Sequence, residues 1–238
     1  MKMKRLIALL AVLLLIVGIL SACKLGDSGT TTPEQNETEA PPIKDAPFEP
    51  TESAIFVRDD GTMVGAEITD FSKDYYDLAE LKTYVEGLVK EYNQKKAGLE
   101  YAYTADAPKG KTLPAAISKL EASGGKVLLM LECQTPADYI RINDLDLTAD
   151  GLKSVKKTTI KEMNSEGKTF DVKLVNVKGE SVTGEQALRK TDYHVVIVEG
   201  ATVLQVQGEV KYMSTNVTYV DYDCVKTPAG EVSYIIYR

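Results

Sequence analysis

A chain of 238 residues with formal charge −7, one histidine, three cysteines and no tryptophan has room for one good hydrophobic core and stops short of the roughly 250 residues above which cores divide. Without Lys2, Lys4 and Arg5 of the leader the charge falls from −7 to −10, which argues against a nucleic-acid partner that needs a basic face. The missing tryptophan removes the largest stacking platform for sugars and quaternary ammonium groups, although 13 tyrosines supply aromatic area.

In chain order, Met1-Lys2-Met3-Lys4-Arg5 precedes an apolar run from Leu6 to Leu20 and then Ser21-Ala22-Cys23. A charged start, an apolar stretch and a small-residue exit are the parts of an export signal. The run is short for a spanning helix, which needs about 20 apolar residues. Leu20-Ser21-Ala22-Cys23 resembles the lipobox of bacterial lipoprotein signals, an aliphatic residue and two small ones before the cysteine. The resemblance covers the first 23 residues. It implies cleavage before Cys23, a diacylglyceryl group on the Cys23 thiol and acylation of the new amine. Two acyl chains, at about 0.8 kcal/mol per buried methylene, hold a protein durably where one does not. The expected product is anchored to the cell membrane through lipid on Cys23 and faces the extracytoplasmic side. The alternative is an uncleaved helix over residues 1–22; either way the positive charges stay in the cytoplasm.

From Lys24 to Glu52 the chain turns to Thr, Pro, Glu, Gly and Asn, with seven acidic residues against two lysines. Such a segment buries too little to offset its ordering entropy, so residues 23–52 are expected to be a lipidated cysteine and a disordered tether. Random-coil scaling gives it a reach of about 30 Å. The folded body is expected to be one α+β domain over residues 53–238.

Within it, Ala54 to Val57 and Met63 to Ile68 flank Asp59-Asp60-Gly61, a hairpin signal. Asp77 then caps a helix, with Glu80 three residues on, Leu81, Val85, Leu88 and Tyr92 at helical spacing, and Gly98 at its end. Pro114 is read as opening a second short helix carrying Ile117 and Leu120 and ended by Gly124-Gly125, and Lys126 to Cys133 as a central strand. Thr135-Pro136-Ala137-Asp138 starts a helix ending near Asn143. A short helix is placed at Ile160 to Asn164, a strand at Phe170 to Val177, and a helix capped by Thr183 with Gln186. Strands are predicted at Tyr193 to Val198, Thr202 to Val206, Val210 to Met213, Val217 to Tyr222 and Val232 to Tyr237. Helices among early strands and a late, meander-like run predict α+β with a mostly antiparallel sheet, several short helices and one longer N-terminal helix.

The segment Phe71-Ser72-Lys73-Asp74-Tyr75-Tyr76-Asp77, the link Tyr212-Met213-Ser214-Thr215-Asn216-Val217 and the terminal Tyr234-Ile235-Ile236-Tyr237 resemble uncharacterised lipoproteins of clostridia-like Gram-positive bacteria. The resemblance spans most of residues 53 to 238. It implies an address and carries no activity and no site.

Candidate chemistry is sparse. His194 is the lone histidine, and strand alternation places it with Val196 and Val198, in a structural role; one histidine without carboxylate or thiolate companions builds no zinc site. No Gly-x-Ser-x-Gly elbow occurs, and Ser123-Gly124-Gly125-Lys126 lacks the upstream glycine of a phosphate loop. Asp146-Leu147-Thr148-Ala149-Asp150-Gly151 imitates the opening of a calcium loop, but Lys157 stands where a bidentate glutamate is needed. No catalytic, cofactor-binding or metal site is therefore assigned. Cys133 and Cys224 can bridge in an exported protein, closing a loop of about 90 residues worth about 4–5 kcal/mol, or remain two apolar thiols.

The function expected is a membrane-tethered, non-catalytic binding module at the cell envelope, its partner an envelope protein, a wall polymer or a small ligand. Tyr212, Tyr219, Tyr222, Tyr234 and Tyr237 are its contact surface if exposed. Alternatives are a carboxylate-dependent hydrolase acting on envelope material, which needs two acidic groups in one cleft, and a solute-binding component of a transporter.

Overall fold

The computed structural model describes residues 47–144 and 151–238. Leader, Cys23 and most of the tether lie outside the described residues, as does the calcium-loop imitation up to Asp150. Among the described residues the architecture is α+β, built on two sheets and four helices.

The hairpin forms as its sequence dictates: β1 (Ala54–Val57) pairs antiparallel with β2 (Met63–Asp70). The helix α1 (Leu78–Ala97) begins where Asp77 accepts from the amides of Ala79 and Glu80 and ends where Gly98 turns left-handed at φ 69°. Its face of Val85, Val89 and Tyr92 is buried. A single 3-10 turn, Thr104–Asp106, follows.

The segment after Pro114 is a strand, β3 (Ala115–Ser123), in place of the expected helix. It pairs with β4 (Lys126–Cys133) around Gly124-Gly125, whose φ angles of 58° and 74° suit a tight hairpin turn. Ile117 and Leu120, three apart, read as helical. A bulge between Ile117 and Lys119 brings both to the same face, opposite Leu131 and Leu129. β4 lies second from the sheet edge, not centrally. The helix α2 (Pro136–Asp144) follows it at once.

The remaining elements are β5 (Leu152–Thr159), α3 (Ile160–Ser165), β6 (Leu174–Asn176), β7 (Ser181–Val182), α4 (Gly184–Leu188), β8 (His194–Gly200), β9 (Thr202–Val206), β10 (Val210–Ser214), β11 (Thr218–Asp221), β12 (Cys224–Thr227) and β13 (Val232–Tyr237). Thr159 with Glu162 and Thr183 with Gln186 close reciprocal capping boxes on α3 and α4. Only Leu174–Asn176 of the strand expected from Phe170 joins a ladder; Phe170 and Val172 pack as side chains instead.

The first sheet has the order β11-β12-β9-β1-β2-β4-β3, the second β5-β8-β13-β10-β6-β7. The late strands are no meander: β8, β10 and β13 belong to the second sheet, β9, β11 and β12 to the first. Pairing is antiparallel except between β1 and β9, where Ala54–Val57 runs alongside Val203–Val206. Inner faces of both sheets share one core with α1 and α2, including Ile55, Met63 and Leu204 from one and Val196, Val198 and Ile235 from the other. The reverse face of the second sheet, Val195 and Ile236, is covered by Ile160, Met163 and Ala187 of the short helices.

Residues before β1 fold back over the outer face of the first sheet. Phe48 stacks on Phe56 at 5.6 Å, Glu52 pairs with Lys226 of β12 at 2.7 Å, and the Ser53 hydroxyl accepts from the Ile68 amide at 2.9 Å. No helix among the described residues is long and apolar enough to cross a membrane.

Candidate functional site

An aromatic cluster of one exposed and two half-buried rings lies in the loop between β2 and α1. Phe71 stacks on Tyr76 with ring centres 5.1 Å apart, and Tyr75 meets Tyr76 edge-on at 4.9 Å. Tyr75 is 60% exposed, and Leu78, at the helix start, 36%. The loop is fixed at both ends. The Phe71 amide donates to the Gly125 carbonyl at 2.7 Å in the β3–β4 turn, the Tyr76 amide closes a turn onto Lys73 O at 3.1 Å, and Asp77 caps α1. Partial burial, then Tyr75 and the Asp70 carboxylate, raise the Tyr76 pKa. Rings presented to water on a braced loop give rigid amphipathic contact area at little entropic cost.

The C-terminal tyrosines do not form the contact surface expected of them. Tyr237 is fully buried in the main core. Tyr212 packs beside Tyr193, and Tyr234 meets Phe170 edge-on, both partly buried in the outer layer. Tyr219, 38% exposed, stands on the edge strand β11.

His194 sits opposite Tyr237 in the β8–β13 ladder, its ring stacked on the phenol at 5.3 Å. It shares the inner face with Val196 and Val198, as alternation requires. Its Nε2 is 3.9 Å from Asp59 Oδ1 in the β1–β2 turn, too far for a hydrogen bond, and Lys157 donates to the Asp59 carbonyl. Burial, partly opposed by Asp59, lowers the His194 pKa, so the ring is neutral near pH 7. Burial, followed by the nearby Asp59 carboxylate, raises the Tyr237 pKa.

Two carboxylates drawn into the interior, Glu67 and Asp138, are engaged in holding the fold. Glu67 accepts from Tyr139 Oη at 2.8 Å, and burial, only partly offset by that bond and by Ser53, raises its pKa. The Tyr139 ring lies against Gly65, where a Cβ would come within 1.9 Å of Cε2. Asp138, in α2, accepts from Tyr92 Oη and Thr135 Oγ1, both at 2.6 Å, and pairs with Lys96 at 3.0 Å. Burial would raise its pKa, but these partners outweigh it and hold the carboxyl below its usual range. Two acidic groups facing one cleft, as glycoside hydrolysis requires, are not what these contacts provide. Among the described residues no group of three or more His, Cys, Asp or Glu is placed to hold a metal ion.

Cys133 and Cys224 are both free. They lie on β4 and β12, four strand positions apart in one sheet, or roughly 19 Å at the usual strand spacing. Cys133 is opposite Met63 on the inner face, while Cys224, next to inward Val225, points outward. A bridge needs Cα atoms within about 7 Å, so the cross-link weighed from the sequence is not made. Burial, then Asp138, pushes the Cys133 thiol up to about 12.

The sequence signal for the aromatic loop was three aromatic residues among six, lying between a strand and a helix cap where no core-facing periodicity accounts for them. No protein-family model, no curated protein and no solved structure matches this chain.

Proposed function

We propose that this protein is a lipoprotein anchored through Cys23 on the extracytoplasmic side of the cell membrane, and that its body is a non-catalytic binding module whose contact surface is the Phe71–Tyr75–Tyr76 loop. The reading of the address rests on Leu20-Ser21-Ala22-Cys23 and the leader before it. The reading of the body rests on one observation: Tyr75, 60% exposed, belongs to a three-ring cluster on a loop braced at both ends. Exposed aromatic clusters are unfavourable in water and mark interaction sites. The engagement of Glu67 and Asp138 in structural contacts favours binding over hydrolysis.

Proximity labelling from the tethered protein in intact cells tests both parts. Intact mass of the membrane fraction should show loss of residues 1–22 and added lipid, and Cys23→Ala should abolish both. A neighbour labelled by the wild type and lost in Tyr75→Ser is the expected result. Identical neighbours in both would remove the loop as the contact surface.

A further inference from the structure

We infer that the aromatic loop docks a basic, lysine- or arginine-bearing segment of a protein partner; this rests on the binding-module reading above and names its partner by charge. The three rings are set in an acidic frame. Between Asp70 and Glu80 the chain carries Asp70, Asp74, Asp77 and Glu80 against Lys73, all five exposed, and Lys126 stands opposite Asp70 across the β2–β4 ladder, so four carboxylates meet two cations. The Asp77 carboxylate is occupied by the α1 amides it caps. Asp70, Asp74 and Glu80 form no salt bridge among the described residues. Asp70 stands close enough to Tyr76 to act on its hydroxyl, so carboxylate and ring belong to one surface.

Each component of this surface selects a cation. Tyrosine faces carry negative quadrupoles that attract ammonium and guanidinium groups within about 6 Å. Carboxylates beside them add a second, longer-ranged attraction. The long side chains of lysine and arginine satisfy both, laying methylene stems on the rings while the charged head reaches a carboxylate. An anionic wall polymer would meet like charge here. A neutral glycan would leave the carboxylates without a role and would find no tryptophan to stack on.

The test uses the full chain in detergent, titrated with a glycine-flanked hexalysine peptide, a hexaglutamate peptide and chitohexaose, and read by tyrosine fluorescence. Hexalysine should bind, weakening as salt rises. Tyr75→Ala and Asp74→Asn should each lower its affinity about 2- to 5-fold and together about tenfold, with circular dichroism unchanged. Both changes are at exposed positions, so folding is preserved. In parallel, a photo-crosslinking phenylalanine analogue at position 75 is activated in intact cells and the adduct mapped. A lysine- or arginine-rich partner segment supports the inference. Preferential binding of hexaglutamate or chitohexaose, an acidic or uncharged adduct segment, or a hexalysine affinity indifferent to both substitutions overturns the basic partner and leaves the binding reading standing. No binding of any probe together with no adduct overturns both.

Discussion

Replacing Asn93 tests whether a single buried amide ties α1 to the first sheet. Asn93 is 0% exposed. Its Nδ2 donates to the Tyr101 and Ala115 carbonyls, both at 2.7 Å, and its Oδ1 accepts from the Ala115 amide at 3.0 Å. The need for this arrangement follows from strand geometry. Gln134 donates to the Pro114 carbonyl at 2.9 Å, so the next pair, Ala115 with Cys133, is a non-hydrogen-bonded one. Ala115 therefore turns both its amide groups toward the open edge of β3, where the Asn93 carboxamide bonds them as a neighbouring strand would. Only the orientation with nitrogen toward the two carbonyls satisfies all three contacts. Asn93→Ala removes three hydrogen bonds at about 1 kcal/mol each and leaves buried groups without partners, for a loss of about 3–4 kcal/mol. In a chain of this size that lowers Tm by about 10 °C. Asn93→Asp should lose as much, because a carboxylate offers no donor to the two carbonyls. Urea unfolding followed by circular dichroism, with the slope checked for constancy, measures the loss. A cost below about 1 kcal/mol for Asn93→Ala would refute the reasoning, since it would mean that water or backbone rearrangement satisfies Ala115 equally well.

Gly65→Ala should destabilise by about 1–3 kcal/mol, because its Cβ would meet the Tyr139 ring at 1.9 Å; thermal unfolding that shows no loss would mean the ring is free to move aside. Glu67 holds its proton more tightly folded than unfolded, so its contribution favours folding below the unfolded carboxyl pKa and is lost as pH rises through the higher folded one. Glu67→Gln should therefore gain stability relative to wild type as pH rises above about 4, and a difference in urea midpoints that stays constant as pH rises from there would contradict the cause assigned. Alkylation of the denatured, unreduced chain should modify both Cys133 and Cys224. In the native protein Cys224, half-buried, should react before Cys133, 1% exposed; equal native rates would contradict the burial order.

Local signals were legible and long-range ones were not. The Asp77 and Gly98 ends of α1 and the Thr183–Gln186 box follow from side chains bonding backbone groups within a few residues, a chemistry printed in consecutive positions. The β1–β2 hairpin was likewise readable from its turn. The segment at Ile117 and Leu120 was misread because one bulge residue converts a strand's spacing of two into the three that imitates a helix. Neither the parallel pairing of β1 with β9 nor the division of late strands between two sheets can be read from alternation, which fixes which face a residue takes and not which strand it meets. Tyrosine content pointed to contact, but Tyr212, Tyr234 and Tyr237 went into packing because their strands are central or layered against helices. The exposed rings are Tyr75, in a loop with no sheet to enter, and Tyr219, on the edge strand β11.

The fold-back of residues 48–53 has a mechanical consequence. Any pull exerted through Pro47 loads Phe48 on Phe56 and Glu52 on Lys226 before it reaches the hydrogen bonds of β1. These two contacts act as a strain relief, yielding and re-forming while the strand behind them stays seated. β1 itself is wedged between β2 and β9, so force that passes the relief must shear two ladders at once instead of peeling one from an edge.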